Sequence, residues 1–198
     1  MKKIRKILVL SLMILFMTGC DWFVVKNEHE VYLEGKHYAE MKIKKYGVIE
    51  MELDASVAPI TVTNFMKLVD EGYYDGLTIH RVFKDFVIQG GEGQARDTIK
   101  GEFDANGVSN DITHERGTIS MARAGDYSSG FDTGSTQFFI VQKTNTSLDH
   151  YYAAFGHVTK GMEVVDKIVN TVKNVDSNGM VLRDEDMPII EYIKKVEK

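Results

Sequence analysis

The sequence predicts a mainly β fold, a closed antiparallel barrel whose open ends are capped by two helices. Three observations point there. At least six short runs read as strands, by alternation in the first two and by β-branched and aromatic content in others, only two stretches carry a helical period, and clusters of Gly, Asp and Asn lie between them. Many short strands joined by loops favour an antiparallel sheet that rolls up and removes its own edges.

The elements follow in chain order. Met41 and Ile43, then Ile49, Met51 and Leu53, alternate with polar residues on either side of Gly47, which reads as a hairpin of half-buried strands. Pro59 opens a helix with Val62, Phe65 and Leu68 or Val69 at helical spacing, ended by Gly72. Two short β-branched and aromatic runs lie between residues 78 and 89, before a long Gly-, Asp- and Asn-rich excursion over residues 90 to 117. Strands are expected at 118 to 122 and 137 to 142. Met162, Val165 and Ile168 or Val169 make a second amphipathic helix, and residues 189 to 196 make a closing strand.

Composition narrows the function. The chain has 198 residues, 43% hydrophobic and 27% charged, enough for one well-cored domain and too apolar for intrinsic disorder. Its single cysteine excludes a disulfide framework or a thiolate-rich zinc site. A formal net charge of −5 argues against nucleic acid as the main partner, because phosphate binding needs clustered cations.

The N-terminus reads as an address. Lys2, Lys3, Arg5 and Lys6 precede an apolar run from Ile7 to Met17 broken only by Ser11. A spanning helix needs about 20 apolar residues, so this shorter run reads as a secretory signal over residues 1 to 19. It ends in Met17, Thr18, Gly19 and Cys20, similar to the lipobox of bacterial lipoproteins, in which the cysteine receives lipid. A chain beginning at Cys20 keeps 20 cations against 29 anions, a net charge of −9. Such an acidic body is not drawn to anionic lipid, so the expected anchor is acyl chains on Cys20, at the extracytoplasmic face of the cell membrane. Residues 20 to 38, mixed and charged without a period, are expected to be a tether, and residues 39 to 198 the domain.

Familiar catalytic patterns are missing. His114 and Glu115 begin a metalloprotease-like pair without the second histidine, and Asp104, Asn106 and Gly107 lack the offsets of a calcium loop. No phosphate-cradling glycine loop and no glycine-flanked serine nucleophile is present.

What remains is the run from Ile79 through His80, Arg81, Val82, Phe83, Lys84, Asp85, Phe86, Val87 and Ile88 to Gln89, Gly90 and Gly91. Later come Ser120-Met121-Ala122-Arg123-Ala124-Gly125, then Thr136-Gln137-Phe138-Phe139-Ile140, then Leu148-Asp149 and Phe155-Gly156-His157-Val158. These ordered blocks, over about residues 41 to 196, resemble the cyclophilin family of peptidyl-prolyl isomerases. The resemblance implies a cyclophilin-like barrel that acts on proline-containing polypeptides, as a monomer, with no cofactor and no metal.

The chemistry suits the residue types. Turning a peptide bond breaks amide conjugation at a barrier of about 18–20 kcal/mol, yet makes no covalent bond, so no nucleophile is needed. A catalyst holds the proline ring in an apolar pocket and presents a donor to the nitrogen, whose lone pair is freed only in the twisted state. The resemblance gives that role to Arg81, with Gln89 orienting it and Phe86 beside it. Val87, Phe139, Leu148 and Tyr152 match pocket walls, and Phe138 is expected beneath them. Ala122, Arg123 and Ala124 match the segment whose backbone pairs with substrate, and Gln137 belongs to the same binding surface.

A strict two-residue turn at Lys84 and Asp85 would pair Arg81 with Ile88 and put Gln89 on the opposite face, so the site requires an extra turn residue or a bulge. Tyr152 stands where many eukaryotic relatives have histidine, Val87 where methionine is commoner, and Ser147 where cyclosporin-sensitive relatives carry an indole. Weak cyclosporin binding is therefore expected. The function read from the sequence is isomerisation of X-Pro bonds in exported proteins. The alternative is a binding module that holds proline segments in the same groove without catalysis.

Overall fold

A computed structural model describes residues 31–125 and 130–197. The signal segment, Cys20 and the first part of the expected tether lie outside the described residues. β1 (Lys36–Ile43) and β2 (Gly47–Asp54) form the hairpin foreseen around Gly47, with Met41 opposite Ile49 and Ala39 opposite Met51. Inward residues of both strands are buried, while Lys36 pairs with Glu52 and Asp54 on the outer side. Those charges disguise the start of β1, which begins three residues before the boundary expected at Ala39. Leu33 already packs against the core, and its N–H donates to Thr63 Oγ1 at 2.8 Å.

α1 (Pro59–Asp70) begins with proline in its first turn, but Ala58 supplies no side-chain cap. The cap comes from far along the chain. The buried Glu102 carboxylate accepts from Ile60 N at 2.9 Å, Thr61 N at 2.7 Å and Thr61 Oγ1 at 2.6 Å, placing negative charge at the positive end of the helix. Val62, Phe65, Leu68 and Val69 face inward as their spacing predicts, and Phe65 meets Tyr74, Phe138 and Phe155 at ring-centroid distances of 5.2, 5.5 and 5.3 Å.

The remaining elements are β3 (Ile79–Phe83), β4 (Val87–Gly90), β5 (Thr118–Met121), β6 (Phe138–Val141), β7 (Ala154–Lys160), α2 (Met162–Thr171) and β8 (Ile190–Lys195). All strand pairs are antiparallel, and the eight strands follow the order β3-β4-β6-β5-β7-β2-β1-β8. The sheet curls into a half-barrel around the core, with two helices against it. Between its outer strands the described residues show a single bridge, Thr78 to Ile189, so closure extends to that contact and not to a full ladder.

Gly156 interrupts the alternation of β7 and hides that strand from the sequence pattern. That glycine is a packing requirement: a Cβ there would lie 2.3 Å from Glu52 O, so any side chain would push β7 away from β2. In the long excursion, Asp104–Asn106 is a short 3₁₀ turn ended by Gly107 at φ 76°, ordinary turn chemistry.

β6 explains how core and site share a strand. Its side chains alternate, so Phe138 enters the main core while Phe139 joins Val87, Val141 and Leu148 in a second cluster on the opposite face. Phe86, Ala122 and Tyr152 pack against that second cluster.

Candidate active site

The β3–β4 hairpin sets the site. Phe83 pairs with Val87, leaving a three-residue loop of Lys84, Asp85 and Phe86, with Asp85 in the left-handed region at φ 61°. This is the extra turn residue that the sequence required. It pairs Arg81 with Gln89, so both side chains leave the same face. A register shift between Ile79 and Arg81 places a bulge at His80.

Arg81 is half-buried and held from two sides. Its Nε donates to the main-chain carbonyl of Asn178 at 2.8 Å, and Nη1 donates to Gln89 Oε1 at 3.2 Å. Gln89 Nε2 then donates to Gln137 Oε1 at 2.8 Å, joining three predicted residues in one chain of hydrogen bonds. The rings of Phe83 and Phe86 lie 5.7 and 5.6 Å from Arg81 Cζ, a cation–π arrangement that steadies the guanidinium without neutralising it.

Beside this cation opens a depression of about 370 Å³. Phe86, Val87, Phe139, Leu148 and Tyr152 form apolar walls, while Arg81, Gln89, Ala122, Arg123, Gly125 and Met180 line the remainder. Ala124 and Gln137 line an adjoining depression of about 230 Å³, shared with Gln89, Ala122 and Arg123. The two depressions together bring all eleven predicted catalytic and substrate-binding residues to one surface. A larger hollow of about 460 Å³, bordered by Lys44, Lys173 and Arg183, lies elsewhere and includes none of them.

The Arg123 side chain does more than its sequence reading assigned to it. Its guanidinium sits among Phe103, Phe131 and Tyr152 at 5.5, 5.2 and 4.8 Å from the ring centroids, and donates to Tyr151 O and Ala124 O, both at 2.9 Å. It thereby ties the 122–124 segment to the pocket wall at Tyr152. Ala122 N already donates to Gln137 O at 2.9 Å and Ala124 N to Thr133 Oγ1 at 3.1 Å.

Beneath the pocket floor lies His114, buried and stacked on Phe139 with centroids 5.9 Å apart and planes 21° from parallel. Nδ1 lies 2.8 Å from Asp149 Oδ1 and Nε2 3.0 Å from Ser120 Oγ. The carboxylate fixes the proton on Nδ1, leaving Nε2 to accept from the serine hydroxyl. Burial lowers the His114 pKa despite the opposing pull of Asp149, so the ring is held neutral as a prop beneath Phe139.

Residues 38–192 match the family described as cyclophilin type peptidyl-prolyl cis-trans isomerase/CLD. The chain belongs to the cyclophilins. It is 44% identical over 142 residues to peptidyl-prolyl cis-trans isomerase B of Bacillus subtilis, covering 69% of this chain and 87% of that protein. It is 40% identical over 156 residues to peptidyl-prolyl cis-trans isomerase A of Dickeya dadantii, covering 69% and 77% respectively. The crystal structure of a cyclophilin type isomerase from Cryptosporidium parvum superposes with a TM-score of 0.69 at 24% identity, over 82% of this chain and 99% of that one.

Several contributors to this cyclophilin site escaped the sequence reading. Met180 lines the main depression, Asn178 supplies a carbonyl to Arg81 from 97 positions away, and His114 with Asp149 and Ser120 supports the floor. Asn178 belongs to the turn-forming run Asp176-Ser177-Asn178-Gly179 and Met180 directly follows it, a local signal, whereas Ser120 and Asp149 stand within the family blocks and nothing local joins them to His114.

Proposed function

We propose that this cyclophilin catalyses rotation about X-Pro bonds in exported proteins while anchored by lipid on Cys20. One observation carries the catalytic reading: a guanidinium fixed at both Nε and Nη1 beside an apolar depression. In this reading the proline ring packs against Phe86, Phe139, Leu148 and Tyr152, with Val87 at its base. As the bond twists, the nitrogen loses conjugation and gains a lone pair, which Arg81 stabilises by donating an N–H. The interaction exists in the twisted state and not in either planar state, so it lowers the barrier. Gln89 orients Arg81, Gln137 orients Gln89, and the backbone of 122–124 pairs with the substrate chain. A second crystal structure of the Cryptosporidium parvum isomerase, determined in the presence of the dipeptide Ala-Pro, superposes with a TM-score of 0.67 at 25% identity and supports the substrate class.

The envelope location rests on the sequence alone: four basic residues, a short apolar run and Met17-Thr18-Gly19-Cys20. The enzyme is proposed to act as a monomer.

Protease-free isomerase kinetics on a proline peptide test the catalytic reading. Arg81→Ala is expected to lose about a hundredfold or more in kcat/KM, as for removal of a single transition-state donor. An unchanged rate removes Arg81 from its role, and peptide binding without measurable isomerisation in the unaltered chain favours a binding module. Metabolic labelling with a fatty acid tests the anchor: label and membrane association should both disappear in Cys20→Ala.

A further inference from the structure

The segment that supplies the carbonyl to Arg81 is a small hairpin outside the main sheet. Val175 pairs with Val181, Asp176 N donates to Met180 O at 2.9 Å, and Gly179 N donates back to Asp176 O at 3.1 Å. Gly179 sits at φ 81°, so Asp176-Ser177-Asn178-Gly179 forms a tight turn followed by a left-handed residue. The Asp176 carboxylate locks it, since Oδ1 accepts from Asn178 N at 2.8 Å and from Met180 N at 2.9 Å.

This turn is fastened along the outer edge of β3, where Arg81 forms a bridge with Met180. Val82 N donates to Gly179 O at 2.7 Å, and Val181 N donates to His80 O at 2.9 Å, bracketing Arg81 on both sides. The approach is close enough that a Cβ on Gly179 would lie 2.7 Å from Phe83 Cβ and 3.0 Å from Val82 O. Held in this way, Asn178 presents its carbonyl to Arg81 Nε at 2.8 Å.

We propose that Asp176 is a positioning residue for the catalytic arginine. Its carboxylate holds the turn that aims the Asn178 carbonyl at Nε, and that bond fixes the plane of the guanidinium. Gln89 alone cannot do so. Its bond to Nη1 is longer, 3.2 Å, and one tether at the end of a flexible side chain leaves the fork free to rotate about it. Anchors at Nε and Nη1 together define a plane. Among the described residues no protein group bonds Nη2, which leaves its donors for the substrate. Asp176 lines neither site depression, so it does not touch substrate, and the Nε–Hε signal separates its effect through Arg81 from any effect through Met180, which the same carboxylate holds and which lines the main depression.

The proposal rests on the isomerase reading, and its test separates the two. In the full chain, Asp176→Ala should lower kcat about tenfold, equivalent to about 1.4 kcal/mol on the barrier, with KM within about twofold. Asp176→Asn keeps an oxygen able to accept from both N–H groups and should restore kcat to within about threefold of the parent. Ser177→Ala, which leaves the carboxylate in place, should behave as the parent. The independent readout is the Arg81 Nε–Hε signal in ¹H–¹⁵N spectra. It should be sharp and slow to exchange in the parent and in Asp176→Asn, and exchange at least about tenfold faster in Asp176→Ala, as expected when a hydrogen bond of about 1.4 kcal/mol is lost. Parental kcat in Asp176→Ala, or an asparagine variant as impaired as alanine, overturns the proposal. So does a parental Hε that exchanges like that of a free arginine, a result that also decides the matter if the alanine variant does not fold. A parent without isomerase activity but with a protected Hε, lost in Asp176→Ala, would refute the functional reading and leave the positioning intact.

Discussion

Replacing Gln89 by leucine tests whether the hydrogen-bond chain through the site serves catalysis. The substitution nearly preserves volume and removes two bonds, the 3.2 Å acceptance from Arg81 Nη1 and the 2.8 Å donation to Gln137 Oε1. Bonds to charged groups contribute about 1.5–3 kcal/mol, and the length of this one places it at the lower end, so about 1.5 kcal/mol of orientation is lost. That corresponds to roughly tenfold in kcat/KM, well short of the effect of deleting Arg81, because Asn178 O still holds Nε. The fold itself should lose less than about 1 kcal/mol, since Gln89 and Gln137 are half-buried at a groove where water replaces the missing partner. Protease-free kinetics on Gln89→Leu, Arg81→Ala and the double variant form a cycle in which the Gln89 effect should vanish once Arg81 is gone. A Gln89→Leu enzyme within twofold of the parent, or a loss that persists undiminished in the Arg81→Ala background, refutes the account of Gln89 as the orienting group.

Three further outcomes are expected. Glu102→Ala should lower the unfolding free energy by about 1–3 kcal/mol in urea titrations, because it strands buried donors at the start of α1, and an unchanged midpoint would show that the cap is dispensable. Stability should fall as pH drops below the ordinary histidine value of 6.5: burial, the largest influence on both His80 and His114, lowers their folded pKa values, so the unfolded chain takes up protons first. Each contributes up to about 1.4 kcal/mol per pH unit between 6.5 and its lowered folded value, and a urea midpoint that holds or rises on acidification would contradict it. Cyclosporin should bind weakly, because Ser147 turns its hydroxyl onto Asn145 Oδ1 at 2.6 Å and offers no indole, an expectation that a nanomolar dissociation constant would end.

Some features were legible in residue types and spacing alone. Alternation marked both strands of the first hairpin, Pro59 and a helical period marked α1, and the run from Ile79 to Gly91 named the family, because these are signals carried by neighbours in the chain. The run also exposed a conflict between turn length and side-chain facing that the extra loop residue at Phe86 resolves. Gly156 concealed β7, since a strand residue selected for close approach to β2 breaks the very alternation by which strands are recognised.

By itself, then, the sequence determined the family, the strands and helices other than β7, and most of the side chains around the groove. Tertiary structure alone decided how those side chains are held. The Asn178 carbonyl at Arg81, the Glu102 cap on α1, the His114 prop beneath Phe139 and the aromatic cage around Arg123 all join positions well separated along the chain. A carbonyl is the same in every residue, and a carboxylate or imidazole has the same side chain whether it meets solvent or a buried partner. Which partner it meets is fixed by packing and register, and those exist only once the sheet has curled.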